Sequence, residues 1–303
     1  MHMKRMYFLI IWVLCISFTA VFAETGTVEQ MIPNISLNNG YDMPQFGISC
    51  SGLPADRAEE LIYAALQKGF RLIAAGGSAA DEEGAGRGIQ RAIEEGLVKR
   101  EEIFISITLP STPEEDCEAA IQKSLERLKL EYVDLMVLRQ NDFPKDVKAW
   151  QAMEKGIERG LIRSLGLAGF VDVRNYDLFV NNAVTVQPAV LQIPIHPYEQ
   201  RQDMREHLAE CGTVLVSDSP LGEDGEEQVL FADSQISLDA TWYRKTSPQI
   251  ILRWQLQRGN VILPEVSDEA QIDEYFEVLD FELTDEEVEQ INVLDRSLNL
   301  MFY

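Results

Sequence analysis

The sequence feature that most limits the fold of this chain is a regular alternation of short apolar runs with amphipathic segments. Eight apolar runs recur along it: Pro44–Ile48, Arg71–Ala75, Ile103–Leu109, Val133–Leu138, Leu165–Leu167, Val190–Ile193, Val214–Val216 and Val261–Leu263. Strands that alternate with helices at a spacing of roughly 30 residues indicate a parallel sheet, and this number of strands favours closure. The sequence therefore predicts a single-domain α/β fold of the (β/α)8, or TIM, barrel type.

The segments between these runs show the periodicity of amphipathic helices. Apolar residues recur at three- and four-residue spacing, as at Ala58, Leu61, Ile62, Ala65 and Leu66. In a barrel of this type, the side chains that bind or react lie on the loops after the carboxyl ends of the strands. Those positions are therefore where functional residues are expected.

Two of the helical segments carry capping signals. Ser247 followed by Pro248 predicts an N-cap and a first-turn proline. Thr284 followed by Glu287 matches a capping box, in which each residue satisfies a backbone N–H of the other. Because both pairs precede apolar periodic residues, each predicts the start of a helix.

The amino terminus differs from the rest of the chain. Lys4 and Arg5 precede an apolar stretch that runs to Phe22, and small residues surround the end of that stretch at Ala23. This pattern predicts a signal peptide over residues 1–23, cleaved after Ala23, and a barrel over residues 24–303 in a secreted or periplasmic protein. A retained anchor is the alternative, although the stretch is shorter than the roughly 20 apolar residues that span a bilayer.

The chain is strongly acidic, with a formal net charge of −24. Such a surface repels nucleic acid and anionic lipid, so neither is an expected partner, and it also repels anionic nucleotides. No Cys-x-x-Cys pair is present and histidines are few, so no metal site is expected. Cys50, Cys117 and Cys211 are expected as three buried thiols in a monomer, with one disulfide as the alternative.

Short motifs follow one another along the predicted strands and their loops. They include Met43-Pro44-Gln45-Phe46-Gly47, Gly69–Ile73, Leu97–Ile105, Tyr132–Leu135, Gly160–Gly166 and Ser219-Pro220-Leu221-Gly222. In this order, over residues 34 to 296, they resemble the motifs of the aldo-keto reductases. The resemblance implies a (β/α)8 barrel and an NADPH-dependent oxidoreductase chemistry.

That chemistry uses four side chains, which the resemblance places at four positions of this sequence. Ala74 stands at the position of the aspartate, Ala79 at that of the proton-donating tyrosine, Thr108 at that of the lysine and Arg139 at that of the histidine. Alanine has no proton to give, threonine does not ionise near neutral pH, and arginine does not lose its proton in proteins. No catalytic residue of the family is therefore expected here.

The positions that the resemblance assigns to the cofactor are mixed. Gln192, Ser219, Leu221 and Glu274 match the family. The amide-binding pair is replaced by Ala168-Gly169 and the stacking aromatic residue by Asp218. Glu265 stands at the position of the basic residue that meets the outer phosphate, and Gln271 at that of an arginine before Ile272. Because carboxylates repel phosphate, we expect no tight NADPH binding.

The leading hypothesis is a secreted, non-catalytic relative of the aldo-keto reductases that binds an unknown small molecule or protein. One alternative is an NADP(H)-dependent oxidoreductase that reduces aldehydes or ketones with a rearranged active site. Another is a hydrolase that uses carboxylates at the strand ends, for which Asp142, Asp218 and Glu265 are the candidates. Arg139 is expected either to anchor an anionic ligand or to pair with Asp218 in the vacated site.

Overall fold

A computed structural model describes residues 32–110, 114–222 and 225–296 of the chain. These residues belong to one compact unit. The predicted signal peptide and its cleavage site after Ala23 lie outside the described residues. Within the described ranges, no helix combines the length and the apolar character needed to cross a membrane.

The described strands form a hairpin and a barrel. The hairpin pairs β1 (Asn34–Ser36) with β2 (Asp42–Pro44). The barrel strands are β3 (Gly47–Ser49), β4 (Leu72–Ala75), β5 (Phe104–Pro110), β6 (Val133–Arg139), β7 (Ile162–Ala168), β8 (Val190–Ile193), β9 (Val214–Ser217) and β10 (Val261–Ile262). They are parallel and adjacent in chain order, and bridges at Phe46–Ile262 and Ser49–Glu265 join the last strand to the first. The predicted (β/α)8 barrel is confirmed.

Helices surround the barrel and connect its strands. They are α1 (Ala55–Lys68), α2 (Ala79–Glu94), α3 (Glu114–Leu128), α4 (Phe143–Glu158), α5 (Val173–Ala183), α6 (Gln202–Cys211), α7 (Glu227–Phe231), α8 (Ser234–Tyr243), α9 (Ser247–Gln257), α10 (Glu269–Phe276) and α11 (Asp285–Asn292). Short 3-10 segments cover Arg100–Glu102 and Glu277–Asp280.

The structure corrects two boundaries that the sequence predicts. The run Pro44–Ile48 is not one strand, because Pro44 ends the hairpin and the barrel strand begins at Gly47. Apolar residues continue through both strands, so hydrophobicity does not mark where the chain passes from one sheet to the other. Helix α9 is capped by Thr246, whose hydroxyl accepts the Gln249 N–H, and not by Ser247. The capping box at Thr284 is confirmed.

Two apolar layers follow from the alternation of side chains along the strands. Leu72, Leu135 and Val216 point into the barrel, where they form a cluster with residues of the neighbouring strands. Ile73 and Met136, which are the next residues along their strands, pack outward against the helices. The barrel is thus filled by side chains, and the open space lies beyond its strand ends.

The cysteines differ from their predicted environment at one position. Cys50 and Cys117 are buried, whereas Cys211 is exposed at the end of α6, and the three thiols form no disulfide. Burial and the nearby Asp81 charge raise the pKa of the Cys50 thiol. The apolar pattern of α6 is weak, and Gly212 ends the helix at the surface, so the thiol of its last residue faces outward.

Asp134 joins three barrel strands at their amino-terminal ends. Its carboxylate is buried and accepts the backbone N–H of Ile105 at 2.9 Å. It also accepts hydrogen bonds from Arg100 at 2.7 Å and from Arg163 at 2.9 Å. The guanidinium groups of both arginines lie 4.0 Å from the centre of the Tyr132 ring. One carboxylate therefore compensates two cations and one strand N–H.

We predict that Asp134→Ala lowers the free energy of unfolding by about 3–5 kcal/mol, because it leaves two partly buried cations and a buried N–H without their acceptor. Asp134→Asn keeps an acceptor oxygen and is expected to lose less. Urea unfolding followed by circular dichroism measures both. Equal stability of Asp134→Ala and the unmodified protein would contradict this account of the cluster.

Candidate functional site

A small cavity opens where the parallel strands end. Its volume is about 340 Å³. Its lining comprises Ser49, Ser51, Ala74, Ala75, Gly76, Gly77, Thr108, Arg139, Gln192, Pro194, Asp218, Ser219 and Glu265. Nearly every barrel strand or the loop after it thus contributes to this mouth cavity, which lies where barrels of this type carry their functional sites.

Three of the four positions singled out by the sequence meet in the mouth cavity. Ala74 of β4, Thr108 of β5 and Arg139 of β6 all line it. Ala79 does not, because it is the first residue of α2 and its side chain is exposed. The walls at these strand ends therefore offer a methyl group, a hydroxyl and a guanidinium.

Arg139 is the only one of these groups that carries a charge. About half of its side chain is exposed, and its Nη2 lies 3.7 Å from Oδ2 of Asp218, which is 14% exposed. That separation exceeds a hydrogen bond. Among the described residues, the guanidinium has no hydrogen-bond partner. The predicted pairing of Arg139 with Asp218 thus exists as a long ionic contact that leaves the donors of the arginine available.

A larger cleft adjoins the mouth cavity and shares five lining residues with it. Its volume is about 660 Å³, and its further lining comprises Leu53, Pro220, Leu221, Gly222, Glu227, Pro264, Val266, Ser267, Gln271 and Tyr275. Three carboxylates line it, those of Asp218, Glu227 and Glu265. No lysine, arginine or histidine is among its described lining residues. The electrostatic potential of the cleft is therefore negative.

The four positions that the resemblance assigns to the cofactor lie in different parts of the structure. Gln192 lines the mouth cavity, Leu221 lines the cleft and Ser219 lines both. Glu274 lines neither: its carboxylate accepts the hydroxyl of Thr246, and its backbone carbonyl accepts the amide of Gln249. Glu274 therefore fastens α10 to the start of α9, which is a structural role.

The side chain of Gln271 is also committed to the fold. Its Oε1 accepts the backbone N–H of Ser267 at 2.7 Å and the hydroxyl of the same serine at 3.1 Å. It thereby holds the loop between β10 and α10 in shape. The neutral amide offers no positive charge to the cleft that it lines.

Two of the three carboxylates proposed for a hydrolase share the mouth cavity. Asp218 and Glu265 both line it. Asp142 does not, because it is the N-cap of α4 and its side chain accepts the N–H of Lys145. The structure therefore separates Asp142 from the other candidates and gives it a capping role.

Asp81 is a buried carboxylate that sequence reasoning did not assign. Its two oxygens accept the backbone N–H of Gly52 at 2.7 Å and of Gly76 at 3.0 Å, and the hydroxyl of Ser78 donates to it at 3.2 Å. The loops after β3 and β4 are thus tied to one side chain. The spacing of Ser78 and Asp81 is a capping pattern that could have signalled this role.

The loop after β4 also packs closely on the end of β5. Gly76 has a φ of +111°, and a Cβ at this residue would lie 2.5 Å from the carbonyl oxygen of Thr108. Only glycine allows both this backbone conformation and this approach. Together, Asp81 and Gly76 fix the wall of the mouth cavity that carries Ala74 and Thr108.

An eight-stranded parallel barrel with a ligand-sized cleft at the carboxyl ends of its strands places this chain among the (β/α)8 barrel proteins. The chain belongs to the aldo/keto reductase family, whose model matches residues 43–226 and 234–296. The resemblance found in the sequence is therefore confirmed.

Known relatives and solved structures match most of this chain and most of their own length. The NAD(P)H-dependent D-xylose reductase I,II of Candida tropicalis is 32% identical over 88% of this chain and 94% of its own length. Aldo-keto reductase family 1 member A1 of Gallus gallus is 32% identical over 87% of this chain and 89% of its own. The Bombyx mori aldo-keto reductase in complex with NADP superimposes with a TM-score of 0.79 at 28% identity, over 88% of this chain and 94% of the other.

We predict that Asp81→Ala lowers the free energy of unfolding by about 2 kcal/mol or more, because two loop N–H groups lose their shared acceptor. Asp81→Asn retains one acceptor oxygen and is expected to lose roughly half as much. Thermal and urea unfolding measure both values. If the two variants were equally stable, the hydrogen bonds to the carboxylate would not be what holds these loops.

Proposed function

We propose that this member of the aldo/keto reductase family is a non-catalytic protein that binds a ligand in its mouth cavity. The observation that carries the proposal is the set of side chains at the ends of β4, β5 and β6. Ala74, Thr108 and Arg139 include no group that exchanges a proton near neutral pH. Reduction of a carbonyl needs a proton for its oxygen, and none of these three residues supplies one.

The negative charge of the adjoining cleft supports the proposal that NADPH binds only weakly. The resemblance places Glu265 where the family has a basic residue for the outer phosphate, and Asp218 and Glu227 add two more carboxylates to the same cleft. Each raises the electrostatic free energy of a bound phosphate. The side chains that line this cleft do not suit a polyanionic nucleotide.

A second candidate function is NAD(P)H-dependent reduction of aldehydes or ketones with a rearranged active site. The relatives favour it, because the Candida tropicalis protein is named as NAD(P)H-dependent and the Bombyx mori structure contains NADP. The retained Gln192, Ser219 and Leu221 at the two cavities also favour it. The two candidates differ in whether NADPH binds and in whether it is consumed.

We predict that titration of the protein with NADPH, followed by nicotinamide fluorescence, shows no saturation in the micromolar range. Glu265→Lys replaces a repulsive charge by an attractive one and is expected to tighten binding roughly tenfold, which corresponds to about 1.4 kcal/mol. Glu131→Lys changes the net charge equally at an exposed residue just before β6, at the other end of the barrel, and is the matched control.

The same protein is then incubated with NADPH and glyceraldehyde while absorbance at the nicotinamide band is followed. The non-catalytic proposal expects a rate equal to that of buffer alone. Micromolar affinity of the unmodified protein together with aldehyde-dependent loss of NADPH would establish the second candidate instead. Saturable binding without turnover would leave catalysis absent but show that the acidic cleft tolerates the nucleotide.

We further propose that the chain is exported and that its partner is a small molecule or a protein, not nucleic acid or a membrane. The charged, apolar and small-residue regions of the first 23 residues support export. The negative surface supports the exclusion of polyanionic partners.

We predict that cells expressing the full sequence release a mature protein that begins at Glu24. Amino-terminal sequencing and intact mass of the exported fraction measure this. Ala23→Arg places a large charged residue directly before the predicted cleavage site, and it is expected to leave the precursor uncut. A protein that keeps residues 1–23 in the unmodified form would refute the cleavage.

A further inference from the structure

We propose that the ligand of the mouth cavity is a free α-amino acid, held with its carboxylate on Arg139 and its ammonium group beside Asp218. This inference rests on the proposed function, because it names the ligand of the same site. It depends on one cation and one anion that lie side by side in a cavity whose walls also carry hydroxyl and amide groups.

Arg139 supplies the carboxylate position. A guanidinium presents its N–H groups in a planar fork that matches the two oxygens of a carboxylate. Within the described part of the chain, none of these N–H groups has a hydrogen-bond acceptor, and the contact with Asp218 is 3.7 Å. The arginine therefore lines the mouth cavity with its donors unused, which favours a ligand that brings two acceptor oxygens.

Asp218 and Glu265 supply the position of the ammonium group. Both line the mouth cavity together with Arg139. In an α-amino acid the ammonium and carboxylate groups are attached to the same carbon, so their charges lie side by side. The neighbouring opposite charges of Arg139 and Asp218 form the complementary pair.

The charges of the cavity disfavour the two simpler ligand classes. A carboxylic acid without an amine would bring a negative charge towards Asp218 and Glu265 and into the field of a chain with a net charge of −24. An amine without a carboxylate would leave Arg139 with no anionic partner beyond its long contact with Asp218. A zwitterion has no net charge to be repelled, and it satisfies both signs at once.

The size and polarity of the cavity are consistent with such a ligand. Its volume of about 340 Å³ lies at the lower end of ligand pockets, which span roughly 300–1,000 Å³. Thr108, Ser49 and Gln192 add uncharged hydrogen-bonding groups to the walls. The side chain of the amino acid can extend towards the larger cleft, where Leu53 and Tyr275 offer apolar surface.

The test is isothermal titration calorimetry of the purified full chain with matched probes. L-Leucine is compared with isopentylamine, which lacks its carboxylate, and with 4-methylpentanoate, which lacks its amine; L-alanine, ethylamine and propionate form a smaller set. The remaining common L-amino acids are screened by thermal shift. We expect at least one L-amino acid to bind, and its amine and acid counterparts to bind at least roughly tenfold more weakly.

Variants locate the site. Arg139→Gln is expected to weaken binding of that amino acid at least roughly tenfold, Asp218→Asn to weaken it in the same direction, and Arg139→Lys to give an intermediate value because lysine lacks the planar fork. Arg159→Gln is the matched control. Arg159 is 52% exposed, close to the 53% of Arg139, and it makes a similar 3.6 Å contact, with Glu118, but it lies at the far end of α4.

Three results would overturn the inference: no amino acid of the panel binds, the simple acid binds as tightly as the amino acid, or Arg139→Gln binds as the unmodified protein does. NADPH titration and consumption on the same preparation separate this failure from that of the proposed function. If no amino acid binds and NADPH neither binds nor is consumed, the amino-acid ligand is wrong and the non-catalytic function stands. Aldehyde-dependent NADPH consumption removes the non-catalytic function, whatever the amino acids do.

Discussion

The candidate site depends on the hydrogen bonds that close the barrel between its last strand and its first. The N–H of Ile262 donates to Gln45, the N–H of Ser49 donates to Pro264, and the N–H of Val266 donates back to Ser49. In an open sheet, β3 and β10 would lie at opposite edges. Closure instead brings Glu265 beside Ser49, so that the first barrel strand and the loop after the last one form one cavity wall.

Carboxylates have two distinct positions in this acidic chain, within the fold and at the cavities. Asp81, Glu82 and Asp134 lie within the fold, where each accepts several hydrogen bonds or ion pairs: Asp81 joins two loops, Glu82 joins α2 to Ser124 and Arg127 of α3, and Asp134 joins three strands. Asp218 and Glu265 lie instead at the cavities. The number of acidic residues therefore says little about chemistry, since their position in the barrel decides their role.

Membership of the aldo/keto reductase family defines the fold of this chain but not its chemistry, because fold and chemistry depend on different residues. The barrel is specified by alternating apolar side chains over the whole chain, and these persist. The chemistry of such a barrel depends on a few side chains at the strand ends, which can change with little effect on the core. In this chain, Ala74, Thr108 and Arg139 are the side chains at the ends of β4, β5 and β6 that line the mouth cavity.

The number of barrel strands, most of the helices and the family could be predicted from the sequence, because apolar periodicity and short motifs are local properties. Three findings depend on the folded barrel: Arg139 lies near Asp218, Ala79 and Asp142 lie away from the cavity, and Cys211 is exposed. The folded barrel also gave Glu274 and Asp81 their structural roles. Each of these outcomes follows from how distant segments meet when the barrel closes, and no local pattern records that geometry.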